Sequence, residues 1–566
     1  MRLSTDGDRD EDRGSETIAA AIEAGITVFD TAHAYGRDDS DLGHNERLLG
    51  TALRRLEVTG TARIITKGGM SRSSGGWQPD GRAGTLRRDC EASLVALGGL
   101  PIDLYLVHAP DPRVPWSTTL RALGSIADQA VVGGVGVCNV NRRQLDEAVD
   151  TAPIAAVQVP LNLFDYRAVR GGVVQRCAEL GIAVIAHSPL GGPRRVSRLL
   201  RDERLRDSAE RHQATAGEVA LAWLLGLAPN IVVIPGARRP ETARSAARAA
   251  GILLDTQEQQ VLTTGFGRVQ AVPRAAQRPR ASGGQIAVVM GIPAAGKSRI
   301  AQAYVERGYL RLNRDERGGS LLAVAEALDD ALAGGASDVV LDNTYLTRAS
   351  RSHVLEVAGA HDVRTRCVWV DTPLDQAQVN LVQRLLDGFG SLPTPEQLRR
   401  LSRQRAGLLS PTQQMRAVRE LEPPASEEGW SRIEHVPFVR APTSGVTAAG
   451  VFVATAVLAQ PRWRAVVAAA EPAAPHLLFD WRAGASSDDL RPAVAELGSV
   501  VVGPVEAALC PHPAGPPTCW CRPPLPGLPL AFAHSRGLDP ARCTVIGCTP
   551  THRRMASTLG ARYLQP

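Results

Sequence analysis

At 566 residues the chain exceeds one ordinary hydrophobic core, so three or four domains are expected. An apolar content of 44% and a charged content of 22% describe a globular rather than a disordered chain, and a net charge of +6 is too small at this length to argue for nucleic acid by itself. No apolar run reaches transmembrane length and the opening Met1-Arg-Leu-Ser-Thr-Asp is too polar for a signal peptide, which predicts a cytoplasmic protein with no membrane partner.

Residues 1–265 repeat a short β-rich run followed by an amphipathic helix. The strand candidates are Thr27-Val-Phe29, Ala62-Arg-Ile-Ile65, Leu104-Tyr-Leu-Val107, Gly134-Val-Gly-Val137, Ala156-Val-Gln-Val159, Ala183-Val-Ile-Ala186 and Ile231-Val-Val-Ile234. This order predicts an α/β fold of the parallel (β/α)8-barrel type, with its chemistry at the C-terminal strand ends. Asp30, Tyr35, Lys67 and His108 fall at those ends. Together they can protonate a carbonyl while hydride arrives from elsewhere: Tyr35 is the proton donor, Lys67 lowers its pKa, Asp30 pairs with Lys67, and His108 orients the carbonyl oxygen.

The loop texts Asn45-Glu-Arg-Leu-Leu-Gly50, Gly136-Val-Cys-Asn139, Val157-Gln-Val-Pro-Leu-Asn162, Ser188-Pro-Leu-Gly191 and Ile234-Pro-Gly-Ala-Arg-Arg-Pro-Glu241 resemble the aldo-keto reductase family over nearly the whole segment. The resemblance implies NADP(H) and a carbonyl or alcohol small molecule. It places Asn139 and Gln158 on the nicotinamide amide, Ser188 and Leu190 along the pyrophosphate, and Arg238 or Arg239 on the 2′-phosphate. There are two departures from the family pattern. Met1-Arg-Leu-Ser4 is at most a stub of the family's first barrel strand, and the Glu-Asn pair after the cofactor arginines is Ser245-Ala246.

Residues 266–284, rich in Pro, Gly and Arg and without periodicity, read as a linker. Residues 285–440 open with the apolar run Gln285-Ile-Ala-Val-Val-Met290 and the loop Gly291-Ile-Pro-Ala-Ala-Gly-Lys297-Ser298, followed by a helix-like stretch. That is the order of a phosphate-binding P-loop. Gly291 and Gly296 let the backbone curl around phosphate, Lys297 reaches the β- and γ-phosphates of ATP, and Ser298 ligates Mg²⁺. Two later strand ends carry Asp315 and Asp342, and helices beyond them carry Arg348, Arg351, Asn380 and Arg384. Phosphoryl transfer needs a base beside the acceptor and cations where charge accumulates, which Asp315 and Arg384 can supply. These blocks, with Glu422-Pro-Pro-Ala-Ser-Glu-Glu-Gly-Trp430, resemble the 5′-hydroxyl polynucleotide kinases among P-loop kinases. The resemblance implies Asp315 as general base and Asp342 on the acceptor or the Mg²⁺ shell. The position three residues after Asp315, an acceptor-binding arginine in some members, is Gly318.

Of nine cysteines, Cys510, Cys519, Cys521, Cys543 and Cys548 crowd residues 441–566, and in a reducing compartment such crowding predicts metal before disulfide. Cys510, His512, Cys519 and Cys521 form two close ligand pairs around a Pro- and Gly-rich loop, the pattern of a structural zinc site. The surrounding text resembles haloacid-dehalogenase (HAD) phosphatases of the histidinol-phosphate and heptose-bisphosphate type. Their acidic motifs have become Ala454-Thr-Ala456 and Gly547-Cys548-Thr549, their threonine motif is replaced by Phe479-Asp480-Trp-Arg482 and their lysine position in Arg522-Pro523-Pro524 is proline, so a non-catalytic, degenerate HAD-like α/β domain is expected. The leading reading is a kinase acting on a 5′-hydroxyl end of RNA or DNA, fused to an NADPH-dependent reductase. Two alternatives stand beside it: a carbonyl reductase with an appended small-molecule kinase, and a non-enzymatic nucleotide-sensing scaffold.

Overall fold

The computed structural model describes residues 2–266, 284–404, 407–440, 447–515 and 517–566. The linker expected at 266–284 lies, apart from its two end residues, outside the described residues. The chain forms two compact units, residues 1–276 with 347–352, and residues 277–346 with 353–566.

In the first unit the apolar runs become β1 (Val28–Asp30), β2 (Arg63–Gly68), β5 (Leu104–Val107), β6 (Val135–Cys138), β7 (Ile154–Pro160), β8 (Ala183–His187) and β9 (Ile231–Ile234), with a small hairpin of β3 (Met70–Ser71) and β4 (Gln78–Pro79) beyond β2. Each run read from the sequence overlaps one of the seven main strands. They pair in parallel in the order β1-β2-β5-β6-β7-β8-β9, a nearly closed barrel-like sheet with its seam between β1 and β9. Central strands covered on both faces need continuous apolar residues, and all four residues of β6 are buried. Gly136 has a reason of its own: a Cβ there would stand 2.3 Å from the Ala156 carbonyl oxygen and 2.6 Å from a Leu106 methyl.

The helices before β1 and after β9, Glu11–Glu23 and Pro240–Arg248, pack on one another through Ala20, Ala21 and Ala243. Arg244 adds an ion pair to Glu23 at 2.9 Å. The expected strand stub at residues 1–4 is instead a helical turn, Arg2–Thr5. Three polar interactions favour the turn. Arg2 pairs with Asp6 at 2.8 Å one turn on, and the fully buried Ser4 hydroxyl meets His44 Nδ1 at 2.9 Å and Asn45 Nδ2 at 2.8 Å.

The second unit holds two parallel sheets. The first contains β10 (Gln285–Met290), β11 (Leu310–Leu312), β12 (Asp338–Asp342), β13 (Arg364–Asp371) and β14 (Arg432–Pro437) in the order β11-β12-β10-β13-β14. The second contains β15 (Val451–Ala454), β16 (His476–Trp481), β17 (Val505–Cys510), β18 (Thr544–Ile546) and β19 (Arg562–Leu564) in the order β17-β16-β15-β18-β19. In both, the first strand of the sheet is central, so the crevice at the strand-order reversal opens at its C-terminal end. Leu381, Leu385 and Leu386 on helix Leu374–Phe389, with Leu398 on helix Pro395–Gln404, share one core with Trp520, Leu528, Leu530 and Phe532. Their i, i+4 spacing puts that apolar stripe on one helix face, so the later sheet is packed against these helices rather than standing alone. Among the described residues no helix is long and apolar enough to cross a membrane.

Candidate functional site

Parallel strands bring their C-terminal ends to one face, which places the expected reductase residues together. Asp30 closes β1, Lys67 is the last residue but one of β2, His108 follows β5, Asn139 follows β6, and Ser188 follows β8. Lys67 is fully buried, and its ammonium reaches both Asp30 oxygens (2.7 and 2.6 Å), the Thr31 carbonyl (2.7 Å) and the Tyr35 hydroxyl (3.2 Å). An ammonium can only donate, so the Tyr35 oxygen accepts from Lys67 and its own hydrogen is left for another acceptor. Gln158 donates to Asp30 at 2.7 Å, Asn139 donates to the His108 carbonyl at 3.0 Å, and the Asn139 side-chain oxygen meets His187 Nε2 at 3.0 Å. Asn139 and Ser188 hold left-handed backbone, φ 58 and 52, the kind of local strain that collects at functional sites.

Burial opposes charge on Lys67, but the Asp30 carboxylate and Tyr35 outweigh it and the ammonium pKa is raised. Burial pushes the Tyr35 hydroxyl up to about 12, against the pull of Lys67. Lys67 therefore lowers the phenol pKa as expected, but burial, with the Asp30 carboxylate adding to it, outweighs that pull. Burial, reinforced by Lys67, holds His108 well below its usual value and His187 down at about 4, so both rings are neutral near pH 7. Tyr35 and His108 meet edge to face at 5.7 Å.

In the second unit the loop after β10 leads into helix Lys297–Val305. Gly291 has φ 150, and a Cβ there would stand 2.6 Å from the Val370 carbonyl oxygen; Gly296 has φ 93 and caps the helix. Lys297 donates to the Gly291 and Ile292 carbonyls at 3.2 and 2.9 Å. Burial lowers it to about 8, with Asp342 and Asp315 pulling up and Arg384 and Arg314 pushing down, which brings the expected kinase residues within electrostatic reach of Lys297. Ser298 follows it in the first helical turn. Asp342 is buried and accepts from Arg311 at 2.6 Å, whereas Asp315 is exposed beside Arg314. Arg351 is fully buried.

The loop carbonyls are held from outside: Asn380 donates to Ala294 at 2.9 Å, Thr372 to Ala295 at 2.8 Å, and Gln414 to Pro293 at 3.1 Å.

At the end of β17, the ligand atoms of Cys510, His512, Cys519 and Cys521 lie within 4.8 Å of one another. Cys510 and Cys519 sulfurs are 3.7 Å apart, and His512 Nδ1 is 3.5 Å from Cys510 and 3.3 Å from Cys521. Four ligands about 2.3 Å from a tetrahedral zinc stand roughly 3.8 Å apart, so this donor set fits that ion. At the ends of β15 and β18 the chain offers Ala454, Thr455 and Ala456, then Gly547, Cys548 and Thr549. Asp480 accepts from Thr455 at 2.6 Å and Arg482 at 2.8 Å, which engages it as a structural anion.

The "Aldo/keto reductase family" model matches residues 1–263, and a model described as "AAA domain" matches residues 286–408. Aldo-keto reductase str7 of Strobilurus tenacellus is 28% identical over 277 residues, 44% of this chain and 79% of that protein. "Probable aldo-keto reductase 1" of Glycine max is 32% identical over 253 residues, 40% of this chain and 71% of that protein. The chain belongs to the aldo-keto reductase family. A solved thermostable aldo-keto reductase bound to the inhibitor epalrestat is 32% identical, spans 47% of this chain and 90% of its own, and superposes with a TM-score of 0.40. The protein is an enzyme in which an aldo-keto reductase unit precedes a kinase-type P-loop domain.

Sequence reading missed two features of the reductase site. Trp77 stands edge to face with Tyr35 (6.1 Å) and His108 (5.9 Å), with the Arg72 guanidinium 3.9 Å over its ring. His187 links Asn139 to Ser188, its Nδ1 lying 3.1 Å from the Ser188 hydroxyl. Its place at a strand end, like Asp30 and Lys67, was an available signal; a lone tryptophan in a glycine-rich loop gave none. Arg238 pairs with Asp6 and Asp8, both at 3.2 Å, while Arg239 is exposed at the start of helix Pro240–Arg248. Leu190 is half-buried against the barrel core.

Proposed function

We propose that the reductase unit reduces a carbonyl compound with NADPH, and that the P-loop domain transfers the γ-phosphate of ATP to a hydroxyl, a 5′-hydroxyl end of RNA or DNA being the acceptor. The observation that supports the first activity is the saturated Lys67 ammonium, which leaves the Tyr35 proton pointing away from its own partners. NADPH, when bound, supplies the hydride. Asn139 and Gln158 suit its carboxamide, Ser188 and Leu190 its pyrophosphate, and Arg238 or Arg239 its 2′-phosphate. Neutral His108 donates a ring N–H to the carbonyl oxygen and so fixes the carbonyl's orientation. Tyr35 passes its proton to that oxygen as charge develops, and Lys67 stabilises the phenolate left behind.

In the P-loop domain, backbone and Lys297 take the phosphates and Ser298 holds Mg²⁺. Asp315 takes the acceptor proton, Asp342 supports the metal shell, and Arg384 meets the charge of the transferring group. Cys510, His512, Cys519 and Cys521 hold a structural zinc in a phosphatase-like domain that has lost its nucleophile.

Incubation with γ-labelled ATP, Mg²⁺ and a 5′-hydroxyl oligonucleotide is expected to label the oligonucleotide. Label in a small alcohol and none in the oligonucleotide would overturn the acceptor. For the reductase, NADPH oxidation over a panel of aldehydes is expected to fall by about a hundredfold or more in Tyr35→Phe; equal rates would mean that the four residues are idle.

A further inference from the structure

The phosphate loop does not rest on its own sheet alone. Its Pro293 carbonyl accepts from Gln414, which is fully buried on helix Pro411–Glu420, and its Ala294 carbonyl accepts from Asn380 on helix Leu374–Phe389. Both helices are held at their other sides by the segment around Cys519 and Cys521. Trp520, between those cysteines and 1% exposed, donates its indole N–H to the Leu409 carbonyl at 3.0 Å. Leu409 precedes Ser410, whose side chain caps helix Pro411–Glu420 in a reciprocal box with Gln413. One residue into that helix, Thr412 donates to the Pro517 carbonyl at 3.0 Å, a second tie to the cysteine-bearing loop. Leu381 and Leu385, which follow Asn380 on its helix, pack in the same core as Trp520 and Leu528.

We propose that the Cys510–His512–Cys519–Cys521 loop is a positioning element for the phosphate loop, with Trp520 and Gln414 as its positioning residues. Metal ligation fixes the backbone on both sides of Trp520, Trp520 fixes the start of helix Pro411–Glu420, and Gln414 on that helix fixes Pro293. The role that this assigns to the last domain is support of nucleotide binding rather than catalysis. It rests on the readings that residues 291–298 bind ATP and that the four ligands hold zinc, and absence of zinc from the unaltered protein would overturn it while leaving ATP binding standing.

The test uses the full chain, a fluorescent ATP analogue with Mg²⁺, and zinc analysis of every sample. Trp520→Phe keeps an aromatic ring, though a smaller one, and removes the donor, while Gln414→Ala removes the last link. Each is expected to raise the Kd for the analogue about threefold to tenfold, with zinc content and circular dichroism unchanged. Because both variants cut one path, the double variant is expected to be no weaker than the worse single one, a non-additivity that general loosening of the fold would not produce. Chelation is expected to raise Kd to a similar extent and zinc to restore it. If Trp520→Phe loses zinc, Thr412→Val, which cuts the Pro517 tie away from the cysteines, takes its place with the same expected rise. Unchanged affinity in these variants, or additive losses, would overturn the inference while leaving ATP binding standing. Failure of the unaltered protein to bind the analogue would overturn the P-loop reading and the inference with it.

Discussion

Replacing Lys67 by Met leaves the Asp30 carboxylate beside a thioether, in a place where the ammonium is fully buried and the carboxylate nearly so. Breaking one side of such a pair is expected to cost about 3–5 kcal/mol, seen as a lower urea midpoint for the reductase unit. Tyr35→Phe keeps the pair and should cost only about 1 kcal/mol of stability, a much smaller midpoint shift, while removing turnover, so the two variants separate folding from chemistry. Lys297 gives a pH test. Burial lowers its pKa to about 8, so at lower pH it is already charged, and bound phosphate favours the charged form further. Above about 8 the free protein has lost this proton and must regain it on binding. ATP affinity is therefore expected to be level below about pH 8 and to weaken by up to about tenfold per unit above it. Titration of Kd between about pH 7 and about pH 9.5 checks this, and Lys297→Met should flatten the profile.

The element that tolerates least is the turn from β10 into helix Lys297–Val305, where two glycines do different work. At Gly296 a side chain meets nothing within 4 Å, so Gly296→Ala bears only the cost of left-handed backbone, about 1–2 kcal/mol. Gly291→Ala also drives a methyl against the Val370 carbonyl of β13, at 2.6 Å, and neither backbone can swing aside. It is expected to cost more and to abolish binding of the ATP analogue. Thermal melting with and without the nucleotide distinguishes them: Gly296→Ala keeps a nucleotide-dependent rise and Gly291→Ala loses it. In the reductase unit the comparable element is the β1–β9 seam, which alanine packing and the Arg244–Glu23 pair close from the helix side.

Each unit has its own core, the reductase core running from Ile18 to Leu262 and the largest core of the second unit from Ala294 to Leu559. Removing zinc is accordingly expected to lower the melting temperature of the second unit and to leave NADPH binding by the first unchanged, as read by nucleotide fluorescence; loss of NADPH binding on chelation would contradict it. Much of this organisation was legible in the sequence, because its signals are local. Parallel strands covered on both faces must be continuous apolar runs, a P-loop is consecutive residues, and the four metal-type ligands lie in one short stretch. Spacing in the chain could not supply what burial and distant neighbours decide. The Tyr35 phenol rises to about 12 because the fold excludes water from it, and Arg2–Thr5 becomes a helix because a buried Ser4 finds His44 and Asn45. Trp520 meets Leu409 across 111 residues, and Gln414 meets Pro293 across 121. The sequence determined what each strand end could do chemically; the tertiary structure alone decided which groups are dry, which are paired and what holds the phosphate loop, since those depend on packing between segments that no local pattern connects.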